Sequence, residues 1–179
     1  MVNVCIFTVR RDKYISSEPL MVLEYDLIGE YDVTLDSKGR FRIPSGLLKK
    51  LGNRDELEFV INKGFDKCLT LYPRPVWKEV KKEVDALSEL SPKHKTFKQI
   101  FYNGANEISP DSADRIQLPK RLQSYADGQK NLVLAARNDR IEIWTEAEYN
   151  KLMEVSPEEM AALADELFGD SAGTVKGGI

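Results

Sequence analysis

Apolar and polar side chains alternate in short bursts along this chain, and the period of each burst predicts its element. Leu27 to Leu35 alternates and is rich in Tyr, Val and Thr, which predicts a strand. Asp36-Ser37-Lys38-Gly39 follows; an Asp that caps its own turn and a Gly that supplies positive φ predict a tight β-turn. Arg40-Phe41-Arg42-Ile43 returns as a second strand, with Phe41 and Ile43 on one face and Arg40 and Arg42 on the other. Beyond Pro44, Leu47, Leu48 and Leu51 stand at helical spacing, with Lys49 and Lys50 in the last turn and Gly52 as a stop. Glu56 to Ile61 predicts a strand, Asn62 to Asp66 a turn, and Cys68 to Tyr72 the return strand that Pro73 and Pro75 end. Val76, Trp77, Val80, Val84 and Leu87 mark an amphipathic helix, and Pro92 opens another with Phe97, Ile100 and Phe101 on one side.

The same plan then returns. Asp36 to Pro44 reappears 75 positions later as Asp111 to Pro119, sharing Asp, Ser, Arg, an aliphatic residue and Pro in register. Gly29 aligns with Gly104 and Leu47 with Leu122. Past a two-residue slip, Phe59-Val60-Ile61 meets Leu132-Val133-Leu134, Asp66-Lys67 meets Asp139-Arg140, and Leu71 meets Trp144. The second copy predicts a strand over Arg115 to Leu118, a short helix near Lys120 to Tyr125, and hairpin arms at Asn131 to Ala136 and Arg140 to Trp144. Glu146 to Val155 and Pro157 to Phe168 predict helices, before a small, Gly-rich tail. Each half is therefore β-β-α-β-β plus helix. One such half cannot bury its apolar face alone; two can close on each other across a pseudo-two-fold axis and protect their sheet edges.

Composition narrows the function classes. The chain has 179 residues, 42% hydrophobic and 31% charged, which suits one ordinary domain or two small ones fused into a common core. No apolar run approaches the roughly 20 residues that span a bilayer. In Met1 to Pro19 the apolar residues precede Arg10 and Arg11, the reverse of a secretory signal, so a reducing cytosol is expected. Residues 1–26 read as an extension outside the core. Two cysteines, Cys5 and Cys68, make neither a disulfide framework nor a metal set, and Cys68 reads as a small core residue. The net charge of −3 means that any basic face must be local.

Several runs together resemble the MraZ family of bacterial transcriptional regulators. They are Gly29-Glu30-Tyr31-Asp32, the Asp-Ser-Lys-Gly-Arg-Phe-x-Ile-Pro run at 36–44, the run from Gly64 to Pro73, Gly104-Ala105, the Asp111…Arg115…Pro119 run, and Ile141-Glu142-Ile143-Trp144. The resemblance covers about residues 27–155. It implies an α+β fold, a pseudo-two-fold swapped-hairpin β-barrel of the kind shared with AbrB-type DNA-binding proteins, built from two tandem ββαββ-type repeats with flanking helices. On that reading residues 1–26 are an extension, 27–90 the first repeat with its helix, 91–155 the second with its helices, and 156–179 an acidic helix and tail. It further implies a cytoplasmic, nucleoid-associated protein that binds short direct repeats in the promoter of the division and cell-wall gene cluster. Rings of eight or more subunits would do the binding. Double-stranded DNA is the implied partner, and the paired Asp-x-x-x-Arg turns carry the contact: Asp36 and Arg40, then Asp111 and Arg115. The second copy departs from the pattern, because Asp114 stands where the family usually has Gly. A carboxylate there adds negative charge beside Arg115, so the second turn is expected to contribute less.

The residue chemistry agrees with a DNA reader. Arg reaches both phosphates and the forked acceptors of guanine. Lys38, Arg40 and Arg42 lie at or beside the first turn, with Lys49 and Lys50 on the helix after it; Arg115, Lys120 and Arg121 are the cations of the second copy. The candidate DNA-binding set is Asp36, Lys38, Gly39, Arg40, Arg42, Asp111 and Arg115, with Asp36 holding Arg40 or capping the turn. Trp77 and Trp144 read as core or subunit contacts. His94, the single histidine, reads as exposed, and no cluster, phosphate loop or nucleophile elbow suggests a metal, a cofactor or catalysis. An oligomeric scaffold without DNA binding is the alternative that the acidic balance allows.

Overall fold

The computed structural model describes residues 25–126 and 128–168. Residues 1–24 of the expected extension, with Cys5, and the tail from Gly169 lie outside the described residues. Of the expected extension, Tyr25 is described, and it packs against the core.

The first half runs β1 (Leu27–Thr34), β2 (Arg40–Arg42), α1 (Ser45–Leu51), β3 (Phe59–Lys63), β4 (Leu69–Pro73), α2 (Arg74–Asp85) and α3 (Pro92–Tyr102). The second runs β5 (Asn106–Ile108), β6 (Arg115–Gln117), α4 (Lys120–Gln123), β7 (Asn131–Asn138), β8 (Arg140–Thr145), α5 (Glu146–Met153) and α6 (Pro157–Phe168). The chain divides after Thr145 into two compact units, and α5 and α6 belong to the second. In α6 the Ser156 Oγ accepts from Glu159 N at 3.1 Å while Glu159 Oε2 accepts from Ser156 N at 2.9 Å. That reciprocal capping box explains the acidic helix start. No helix among the described residues is long and apolar enough to cross a membrane.

The strand pairing shows what the two halves exchange. β1 pairs with β7 of the other half, and β5 pairs with β3. β2 pairs with its own counterpart β6, and β4 with β8. All these ladders are antiparallel, giving one six-stranded sheet in the order β1-β7-β8-β4-β3-β5 and a separate two-stranded ribbon, β2-β6. The registers reveal the axis. Phe41 lies opposite Ile116, its equivalent 75 positions on, and Thr70 lies opposite Glu142. In the two hairpins Asn62 pairs with Thr70 and Ala135 with Glu142. Thr70 and Glu142 are therefore equivalents 72 apart, and the second hairpin turn is one residue shorter. Leu71 thus corresponds to Ile143, and Tyr72 to Trp144, one step from the alignment that sequence suggests.

These strands do not close into a barrel. The large sheet ends at β1 and β5, where no pairing joins the edges. β1 blunts its edge with Glu30 and Asp32 in an alternating row of exposed positions. The halves are also unequal, since β5 has 3 residues where β1 has 8.

β3 and β4 are buried on both faces almost throughout, because the sheet is covered on two sides. On one side Phe41, Ile43, Leu47, Ile116, Leu118 and Leu122 join Phe59, Ile61, Leu71, Leu134 and Ile143 in the main core. On the other, Val60, Tyr72 and Trp77 form a second cluster with Phe101, whose ring stacks on Trp77 at 5.4 Å between centroids. Trp77 and Trp144 are both buried. Asn62, expected in a turn, instead continues β3 and is 1% exposed. Its amide donates to the Phe101 carbonyl at 2.8 Å, satisfying a group at the end of α3 that the helix cannot bond itself. Cys68 is buried, and burial pushes its thiol up to about 12.

Candidate nucleic-acid interface

The first turn is built by one carboxylate. Asp36 Oδ1 accepts from the backbone N–H groups of Lys38 and Arg40, each at 2.9 Å, and Oδ2 accepts from Arg40 Nε at 2.8 Å and Nη2 at 2.7 Å. Gly39 closes the turn by donating to the Asp36 carbonyl at 2.9 Å, at φ 74, a conformation glycine enters without a Cβ penalty. The Arg40 guanidinium and the backbone N–H groups of Arg40 and Lys38 hold the Asp36 carboxyl down at about 2. Asp36 therefore fixes one edge of the Arg40 guanidinium and leaves the rest of the group directed outward, 23% exposed.

The second turn repeats this geometry. Asp111 Oδ1 accepts from Ala113 N at 2.8 Å and Arg115 N at 3.0 Å, and Oδ2 from Arg115 Nε at 2.9 Å and Nη2 at 2.8 Å. Partial burial raises the Asp111 carboxyl, but the Arg115 and Ala113 N–H groups and the Arg115 guanidinium outweigh it, so the net shift is downward. Asp114 takes the place of Gly39 at φ 60, one of two described non-glycine residues in that region. The turn survives without glycine, because Asp tolerates left-handed backbone better than most side chains.

Between the turns lies the β2-β6 ribbon. Phe41 and Ile116 point into the core, so the alternation places Arg40, Arg42, Arg115 and Gln117 together on the opposite, outer face. Arg42 pairs across from Arg115, and Arg40 from Gln117. Each turn is tied to the far strand: Ile43 N donates to the Asp114 carbonyl at 2.8 Å, and Leu118 N to the Gly39 carbonyl at 3.0 Å. The outer face of this ribbon thus carries three arginines, with Lys38 exposed at the tip of the first turn.

The remaining sequence candidates separate. Lys50 is occupied, donating to the Ile28 carbonyl at 2.7 Å. Lys49, Lys120 and Arg121 are exposed, but at the 75-residue offset Lys49 and Lys50 fall on Ser124 and Tyr125, so the helix cations of the two copies are not equivalents. His94 is half-buried rather than exposed, with its backbone N–H at 3.5 Å from the capping Ser91 hydroxyl. No group of three or more His, Cys, Asp or Glu that could hold a metal exists among the described residues.

Three residues escaped sequence reasoning. Gln117 donates its amide to the Lys38 carbonyl at 2.7 Å and so braces the first tip. Gln123 donates to the Leu118 carbonyl at 2.9 Å and lies where a Cβ on Gly39 would fall. Arg54, on a 3₁₀ turn after α1, pairs through Nε with Asp114 and donates to the Ser112 carbonyl. Gln117 aligns with Arg42 in the repeat and could have been found that way. Arg54 lies 60 positions from Asp114 with no local signal.

Comparison with known proteins bears on what this geometry is for. A family model for the MraZ protein, described as antitoxin-like, matches residues 27–100 and again 101–170. A protein of Cytophaga hutchinsonii named transcriptional regulator MraZ is 34% identical over 137 residues, covering 76% of this chain and 91% of the relative. Its namesake in Halothermothrix orenii is 36% identical over 143 residues, covering 78% and 97%. One from Desulforamulus reducens is 36% identical over 137 residues, covering 75% and 94%.

Proposed function

The chain belongs to the MraZ family, and from that premise we propose that it is a sequence-specific DNA-binding transcriptional regulator and not an enzyme. The observation that carries the reading is the ribbon: three arginines on one outward face, two of them clamped by carboxylates at a turn, over a packed apolar floor. A two-stranded ribbon fits a major groove, and a guanidinium held along one edge keeps its other donors for phosphate or guanine. Asp36 and Asp111 orient Arg40 and Arg115; Gly39 permits the first turn; Lys38, Arg40 and Arg42 supply the contacting cations. The target is short direct repeats in the promoter of the division and cell-wall gene cluster, bound in the cytoplasm at the nucleoid, without cofactor or metal.

Homo-oligomeric rings of eight or more subunits account for binding by an acidic chain, because weak basic ribbons add through effective concentration. The exchange of β1 and β5 between the halves supports the swapped-hairpin assignment within this reading, with repeats at 27–90 and 91–155 and an acidic helix and tail beyond.

The test is a mobility shift on a promoter fragment carrying the repeats, with the native protein and Arg40→Ala, across a salt series. The native protein binds, loses affinity steeply with salt as counterions are released, and the variant binds at least tenfold more weakly. Equal affinity of the two proteins removes Arg40 from the mechanism. No shift at any salt favours the oligomeric scaffold.

A further inference from the structure

The two turns match in backbone and differ in charge. Asp36, Lys38 and Arg40 sum to +1, whereas Asp111, Asp114 and Arg115 sum to −1. The extra carboxylate is not idle. Arg54 Nε pairs with its Oδ1, and Arg42 Nη2 lies 3.7 Å from its Oδ2. Arg54 Nη2 also donates to the Ser112 carbonyl and stands 3.5 Å from that of Asp111. One guanidinium therefore holds three residues of the second turn, and the Asp114 side chain is only 17% exposed. The first turn has glycine at the equivalent position and is braced instead by Gln117, a neutral amide. Arg42 and Gln117 are equivalents, so one pseudo-two-fold position meets a carboxylate on one side and a bare carbonyl on the other.

We propose that Asp114 sets the strength and polarity of the DNA-reading face. It recruits Arg54 as a positioning residue and draws Arg42 toward the second turn, so that contact is concentrated on Lys38 and Arg40 of the first. This rests on the DNA-binding reading and adds a determinant to it. The carboxylate lowers the positive potential of the ribbon where Arg42 and Arg115 meet, and Arg54 offsets most of that charge while locking the turn. Each subunit is then an asymmetric reader, despite its internal repeat.

The experiment measures binding of the full chain to the same promoter fragment, by fluorescence anisotropy over a salt series. Asp114→Asn keeps a side chain that accepts positive φ, and Asp114→Gly restores the residue of the first turn. Both are expected to bind several-fold more tightly, with a steeper slope of log K against log salt as Arg42, released from the carboxylate, engages phosphate more fully. Arg54→Ala leaves the carboxylate uncompensated and weakens binding several-fold; Asp114→Asn in the same chain restores it. If both Asp114 substitutions leave affinity and slope unchanged while Arg40→Ala abolishes binding, the inference is overturned and the DNA reading stands. If Arg40→Ala is without effect, the reading beneath it fails. Arg54→Ala that loses binding without rescue by Asp114→Asn assigns Arg54 a direct DNA contact and also overturns the inference.

Discussion

Phe41 and Arg42 are neighbours on a three-residue strand, and opposite consequences follow from replacing each with alanine. Phe41 is 1% exposed and lies at the pseudo-two-fold axis against Ile116, itself fully buried. Truncating a buried Phe to Ala costs about 3–5 kcal/mol, the transfer energy plus the cavity left behind. That range applies here, because Phe41 sits in the main core among Leu47, Ile116 and Leu122, all of them buried. For a unit of this size the loss corresponds to a melting temperature lower by about 10–20 °C. Arg42 has a side chain 73% exposed, with Asp114 3.7 Å away as its ion-pair partner. An exposed pair is worth about 0–1 kcal/mol, so Arg42→Ala should melt within a few degrees of the native protein. DNA binding should fall in both variants, through collapse of the platform in Phe41→Ala and loss of a cation in Arg42→Ala. Differential scanning calorimetry and anisotropy on the same samples separate the two causes. A Phe41→Ala protein that melts within about 2 °C of the native one would refute the packing argument, since a buried ring cannot be removed at so small a cost.

Two further outcomes test the turn and the sheet. The Asp36 carboxylate titrates at about 2, below the usual value for Asp, so its hold on the turn is complete above the unfolded-state value and is lost as pH falls through about 2. Carboxyl-carbon NMR should place its midpoint well below those of the exposed carboxylates; a midpoint near 4 would mean the Arg40 clamp is absent in solution. Asn62→Ala should destabilise the protein by about 1–3 kcal/mol in urea unfolding, because the Phe101 carbonyl and the Lys63 N–H both lose their partner; an unchanged midpoint would show that these groups are solvated.

Much of the site was legible because turn chemistry is local. Asp36 and Arg40 lie four residues apart, and every bond by which the Asp36 carboxylate shapes the turn is made within that window. The alternation in Arg40-Phe41-Arg42 fixed which side faces the core, and the repeat announced a second copy with the same geometry. Asn62 was misplaced for the complementary reason. An Asn before Lys-Gly reads as a turn, and only the arrival of α3 over β3 provides the buried carbonyl that makes it a strand residue. The one-residue offset between β4 and β8 likewise follows from a shorter hairpin turn, visible once both ladders are in register.

The sequence by itself determined the duplication and, through interactions among residues a few positions apart, most of the elements, the faces of the ribbon and the two Asp-Arg clamps. The tertiary structure decided the partners. A turn at Asp36 to Gly39 suggests that β1 and β2 form a hairpin, yet β1 pairs with β7 and β2 with β6, in the other half. Backbone donors are indifferent to which strand satisfies them, so the choice falls to burial: only the exchanged pairing brings Phe41 and Ile116 down onto the sheet. The grip of Arg54 on Asp114 has the same origin, because two side chains 60 positions apart meet only after that closure.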